Sequence, residues 1–191
     1  MKFGIFMYHE VEPIDVGATY GVLSMARRII PEIEIVSVAP QAGVVNYTNN
    51  LRVMADHGFA DCPAVDVLIV LGGAGWQRES RRPETLEFLR FQAERALLVS
   101  VCTGALILAA AGLREGRRAT TRRRALAGEE TPLERLGREH EKVATVEAAY
   151  VDDDRIVTGG GVTLAIDTTL YVLERLFGAE KAAAVAKLID Y

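Results

Sequence analysis

Residues 2–7, 66–71 and 97–101 are short runs of nearly unbroken Val, Ile, Leu and Phe, and they constrain the fold more than any other feature of the sequence. A strand with one wet face alternates apolar and polar side chains. A strand inside a parallel sheet is covered on both faces and reads as a continuous apolar run. Shorter β-prone runs lie at 34–39 and 155–158. Between the runs, 16–30, 85–96 and 103–111 carry apolar residues at helical spacing, the last ended by Gly112. The segment 162–177 is the clearest, with apolar or small side chains at 162, 165, 166, 169, 170, 173, 176 and 177. Gly178 stops it, and 179–189 is an Ala-rich closing helix. Strand then helix, repeated, implies right-handed crossovers. The expected fold is α/β: three layers, with a doubly wound, mostly parallel sheet between helices.

Two stretches interrupt that rhythm. Residues 41–59 contain Gly43, Asn46, Asn49, Asn50 and Gly58, the chemistry of a hairpin excursion. In 150–158, Asp152, Asp153 and Asp154 separate two β-prone runs, which predicts a second hairpin. The charged segment 126–142 reads as a helix. No repeat, low-complexity tract or Pro/Gly/Ser-rich linker divides the 191 residues, so one domain spanning 1–191 is expected. A chain of this length buries about 70% of its unfolded surface and needs no staple. The net charge of −4 argues against a general nucleic-acid binder. The two cysteines, Cys62 and Cys102, are too few for a disulfide framework. No apolar run is long enough to cross a bilayer, and the N-terminus lacks a leader pattern. A cytoplasmic location follows as the expectation, without membrane partners.

The segment Val99-Ser100-Val101-Cys102-Thr103-Gly104-Ala105 carries the most chemical information. A buried strand ends at a cysteine and a helix starts at once, at the strand end where open α/β sheets bind ligands. The unpaired N–H groups of that helix are expected to favour the thiolate, the nucleophilic form. The competing reading is a small buried hydrophobe. Gly72 and Gly73 follow another strand, and their backbone N–H groups are candidates for holding a developing negative charge. Neighbouring sequence lacks the Lys-Ser/Thr of a phosphate loop. Asp15 opens the 16–30 helix, where a plain N-cap is the simplest reading. The three histidines are scattered, and Cys62 has no second ligand nearby, so no metal site is expected.

Together, Asp15, Leu71-Gly72-Gly73, Val101-Cys102-Thr103-Gly104-Ala105, Arg118-Ala119-Thr120-Thr121 and Thr158-Gly159-Gly160-Gly161-Val162-Thr163 resemble the ThiJ/PfpI superfamily. The resemblance covers nearly the whole chain. It implies a class I glutamine amidotransferase-like, flavodoxin-like fold, a homodimer, and a reactive cysteine on a strained elbow beside an acidic residue. Peptidase-like and deglycase-like members carry a His after the nucleophile or about twenty residues later. Here those places hold Thr103 and Arg122, and His9, His57 and His140 match neither. An acidic residue, Cys-Thr and no required His is instead the pattern of isonitrile hydratases and of sensor-like domains in certain regulators. The regulator reading requires a DNA-binding region that this sequence does not contain. By resemblance, Cys102 is the nucleophile, Asp15 the acid/base group and Thr103 an orienting hydroxyl. The implied reaction converts a small-molecule isonitrile to an N-substituted formamide through a thioimidate, without metal, nucleotide or flavin.

Arg114, Arg117, Arg118, Arg122, Arg123 and Arg124 crowd eleven residues of an otherwise acidic chain. One reading is a solvated face paired to Glu115, Glu129 and Glu130. The other places Arg122 at the mouth of the Cys102 pocket, where its fork would bind a carboxylate or phosphate. Trp76 either walls the same pocket or packs in the core. Cys62 reads as an incidental thiol, and 158–163 as support beneath the pocket. Three alternatives to the hydratase remain open: oxidation sensing through a sulfinic acid at Cys102, ligand binding without turnover, and a glyoxalase or deglycase activity.

Overall fold

The unbroken apolar runs become the inner strands of a mostly parallel sheet. The computed structural model describes residues 1–191, with strands β1 (Lys2–Phe6), β2 (Glu34–Val38), β3 (Gly43–Asn46), β4 (Arg52–Ala55), β5 (Val67–Val70), β6 (Leu97–Ser100), β7 (Arg118–Ala119), β8 (Ala144–Thr145), β9 (Tyr150–Asp153) and β10 (Ile156–Gly159). Six of them form one sheet in the order β2-β1-β5-β6-β10-β9. All its neighbours pair in parallel except β9, the antiparallel hairpin partner of β10. Every residue of β5 is buried, which is why its sequence shows no alternation. The 41–59 excursion is a separate two-stranded hairpin of β3 and β4, joined to the main sheet by a bridge between Val38 and His57.

The helices are α1 (Pro13–Val16), α2 (Val22–Ala26), α3 (Trp76–Glu79), α4 (Pro83–Ala93), α5 (Gly104–Ala110), α6 (Pro132–Glu139), α7 (Leu164–Phe177) and α8 (Ala179–Leu188). Helices pack on the sheet around one large apolar cluster that includes Phe3, Ile5, Leu68, Ile69, Leu98, Val99, Val172 and Leu173. Phe59 and Phe88 stack at 4.2 Å within it, and Phe6 tilts against both. The architecture is the expected α/β sandwich.

Local departures from the sequence reading have physical causes. The 16–30 segment is not one helix: a π-helical turn at Gly17–Gly21 separates α1 from α2, which ends at Ala26. Thr19 Oγ1 donates to the Asp15 carbonyl at 2.7 Å, and Thr169 Oγ1 donates to the Ala18 carbonyl at 3.0 Å. Hydroxyls thus serve carbonyls where the helical register slips. Within 126–142 only α6 is helical. Pro132 belongs at a helix's first turn, and Thr131 with Glu134 closes a capping box there. Strands β7 and β8, two residues each, are too short to show any periodicity.

Leu68 is fully buried at the centre of the sheet, so Leu68→Ala should destabilise the protein by about 2–5 kcal/mol. Leu126 is 75% exposed, and Leu126→Ala should stay within about 0.5 kcal/mol. Urea unfolding midpoints measure both, and equal shifts would contradict this placement of the core.

Candidate active site

Strand β6 delivers the chain to the cysteine and the sheet fixes its entry. The Val101 N–H donates to the Val70 carbonyl and the Cys102 N–H to the Gly160 carbonyl, each at 3.1 Å. Cys102 then adopts φ 51°, a left-handed conformation that costs a non-glycine residue on the order of 1–2 kcal/mol. The hydroxyl of Thr121 holds the Cys102 carbonyl. The strained turn throws the sulfur toward the strand ends of the sheet. It is a tight strand-to-helix elbow, built by backbone pairing on both sides.

Asp15 comes to the sulfur from α1. It is fully buried and does not cap its helix: the N-cap is Glu12, whose side chain makes no capping bond. The Asp15 carboxylate instead accepts from the Gly72 N–H at 3.1 Å and the Val162 N–H at 3.3 Å. The Cys102 side chain lies beside it, close enough for each group to shift the other's titration. Two glycines make room for this pair. A Cβ on Gly72 would lie 2.6 Å from Cys102 Cβ and 2.9 Å from Asp15 Oδ2, and one on Gly161 would lie 2.7 Å from Cys102 Sγ.

The expectation of a thiolate favoured by the helix end is corrected by the electrostatics. Burial pushes the Cys102 thiol up to about 12, and the adjacent Asp15 carboxylate adds to the rise. The Arg122 charge and the Thr103 N–H oppose this without overcoming it. Of the other N–H groups at that turn, those of Gly104 and Leu106 are already bonded to the Val101 and Thr103 carbonyls. Asp15 is itself raised to about 6, first by burial, against the pull of its two N–H donors. Near neutral pH the pair therefore holds one proton, on sulfur.

The remaining expected site residues gather here in different ways. Thr103 lies beside Cys102, but its Oγ1 accepts from the Gly73 N–H at 3.0 Å and donates to the Gly73 carbonyl at 3.3 Å. Gly72 and Gly73 sit at the site, with their N–H groups committed to Asp15 and Thr103 rather than left open. Trp76 and Arg122 both line the Cys102 cleft of about 320 Å³, together with Glu12, Ile14, Thr48 and Val162. None of the three histidines lines it. No group of three or more His, Cys, Asp or Glu side chains could hold a metal ion. Cys62 is half-buried elsewhere, its thiol against the Pro63 carbonyl.

Arg117, Arg118 and Arg124 of the arginine cluster are exposed, as a solvated face requires, but the cluster does not pair with Glu115, Glu129 and Glu130. Arg114 is buried, bonded to the Arg118 carbonyl and 3.5 Å from Asp153. Arg117 pairs with Asp153 and Arg123 with Glu147. Glu115 pairs with Lys142, and Glu130 with Arg135 and Arg138. Sequence reasoning missed Thr121, Val162 and Tyr8 as site residues. The first two fall inside quoted motifs, but only the fold shows that they hold Cys102 and Asp15. Buried Tyr8 donates to the Leu71 carbonyl at 3.0 Å. Burial and the nearby Cys102 and Asp15 charges raise its phenol well above the usual range.

The DJ-1/PfpI family pattern matches residues 1–175. Isonitrile hydratase of Pseudomonas putida is 33% identical over 192 residues, covering 100% of this chain and 78% of the relative. The HTH-type transcriptional regulator GbdR of Pseudomonas aeruginosa is 32% identical over 145 residues, which is 75% of this chain but 37% of the regulator. Among solved structures, a ThiJ/PfpI family protein from Pseudomonas syringae superposes with TM-score 0.81 at 28% identity, over 100% of this chain and 74% of that one. With the elbow cysteine, the buried carboxylate and a match over most of its length, this chain belongs to the DJ-1/PfpI family.

Proposed function

We propose that the protein hydrates isonitriles, or closely related small electrophiles, to N-substituted formamides. The observation that carries this reading is Cys102 on a cleft without histidine, with the buried Asp15 carboxylate beside it behind Gly72. As sulfur attacks the terminal isonitrile carbon, Asp15 takes the thiol proton and returns it to that carbon, giving a thioimidate. Water then adds to the carbon, and Asp15 passes the water's proton to the nitrogen. As the C–S bond breaks, Asp15 carries the adduct's hydroxyl proton to the sulfur and the formamide leaves. The sum is one isonitrile plus one water. The acid/base group needs a pKa near the working pH, and Asp15 at about 6 meets that demand. Holding the sulfur as a thiol until substrate arrives also weighs against spontaneous oxidation sensing, since oxidation follows thiolate character and exposure. The similarity to GbdR supports ligand binding without turnover as a second reading. On that reading Cys102→Ser would bind as well as the wild type.

The protein is proposed to act as a homodimer. The β3–β4 hairpin exposes Val44 at 53% and Met54 at 63%, with Leu51 between the strands, an apolar display that suits a second copy. Sedimentation should give twice the chain mass of 20.8 kDa; a monomer at micromolar concentration would refute the dimer.

Turnover of a simple alkyl isonitrile, followed as the N-formyl product, should be lost by at least 10³-fold in Cys102→Ala and Asp15→Asn. Full activity in either variant excludes the mechanism. A second experiment separates the two roles of Asp15. Removing its charge lowers the thiol pKa and leaves more thiolate at a given pH. Asp15→Asn should therefore be alkylated by iodoacetamide faster than wild type at pH 7, although catalytically dead. In the wild type, the alkylation rate should keep rising from pH 7 to 10, because the thiol titrates near 12. A plateau near pH 8 would contradict the raised pKa.

A further inference from the structure

Arg122 is the arginine of its cluster that the fold leaves uncommitted at the site. Arg114, Arg117 and Arg123 face carboxylates. Arg122 makes no ion pair, and its buried Nε has no hydrogen-bond partner, an unfavourable state for a charged group that a bound anion would relieve. Buried Nε of Arg114 is also unpartnered, but that guanidinium already binds Asp153 and the Arg118 carbonyl. Arg122 stands on the wall between two clefts. One holds Cys102. The other, of about 630 Å³, is lined by Arg123, Arg124, Leu126, Glu129 and Leu164. Val162 belongs to both clefts as well, so they meet along one edge.

The charges give this edge a direction. Glu12 lines the Cys102 cleft and repels an anion held close to the sulfur. Glu129 on the second cleft is turned to the Leu126 N–H, 3.3 Å from its Oε2, and Arg124 there has no carboxylate partner. An anionic group is therefore best placed beside Arg122 and Arg124, away from Glu12, with apolar Val162 and Leu164 beside the chain that links it to the reacting carbon. A planar guanidinium with free donors matches a carboxylate bidentately.

We propose, resting on the hydratase reading of the same cleft, that the preferred substrate is an anion: an electrophilic carbon at Cys102 joined by a short apolar spacer to a carboxylate held by Arg122. Arg122 is then the specificity residue, and a neutral alkyl isonitrile is a surrogate.

The first test needs no turnover. In a Cys62→Ala background, Cys102 is alkylated with 3-iodopropanoate and with 3-iodopropanamide, which carry the spacer; the S–C bond forms as iodide leaves, after the thiol has given its proton to solvent. Arg122 also lowers the thiol pKa, which affects both reagents alike, so the ratio of the two rates isolates anion binding. Arg122→Met should lower the 3-iodopropanoate-to-3-iodopropanamide ratio at least tenfold, and Arg122→Lys should restore part of it. The second test compares kcat/KM for 3-isocyanopropanoate and propyl isonitrile, and that ratio should fall at least tenfold in Arg122→Met. An unchanged alkylation ratio overturns the inference, whether or not isonitriles are hydrated. A ratio that moves with Arg122 in a protein that hydrates no isonitrile would leave the anion site standing and remove the hydratase reading instead.

Discussion

A thiol and a carboxylate are buried in contact with each other, and both cannot be charged cheaply. Burial drives the Cys102 thiol to about 12 and the Asp15 carboxyl to about 6. Between those values the sulfur keeps its proton and the carboxylate is ionised. The surroundings serve that arrangement. Two backbone N–H groups, from Gly72 and Val162, keep Asp15 ionised despite its burial. They come from the ends of β5 and β10, whose spacing is set by β6 between them.

Strain enters where the geometry demands it. Cys102 and Val162 both take left-handed φ values, 51° and 61°, and neither is a glycine. Cys102 is held by the Gly160 carbonyl on its N–H and by the Thr121 hydroxyl on its carbonyl. Val162 is held by its N–H to Asp15. The π-helical turn just after Asp15 is a third irregularity, with Thr169 of α7 serving its Ala18 carbonyl. Three departures from regular structure thus converge on one carboxylate and one sulfur, as expected when surrounding structure over-determines a functional site.

Composition and period made the sheet legible: the continuous runs around Val67–Val70 and Leu97–Ser100 could only be covered strands. The cysteine was legible from its place at a strand end. Asp15 was legible only through the family resemblance, because an acidic residue at a helix start has an ordinary capping role and only the fold shows its carboxylate turned inward. The direction of the Cys102 shift was misread for a related reason. A helix N-terminus is visible in sequence, whereas full burial against a carboxylate depends on segments 87 residues apart meeting in space. The arginine run was the least legible feature. Identical residues became a buried strut at Arg114, surface pairs at Arg117 and Arg123, and an unpaired guanidinium at Arg122.

The glycines flanking the sulfur bear on where specificity resides. With Gly72 and Gly161 pressed against Cys102 and Asp15, no side chain fits beside the reacting atoms, so the inner site can recognise little beyond a slim electrophilic carbon. Discrimination must come from the outer cleft, from Glu12, Ile14, Thr48, Trp76 and Arg122. Those residues lie on segments after β1, β3, β5 and β7, and not on the strands that set the elbow. Such positions change at little expense to the core. A fold built this way can keep the buried cysteine and carboxylate fixed while the residues around the cleft vary.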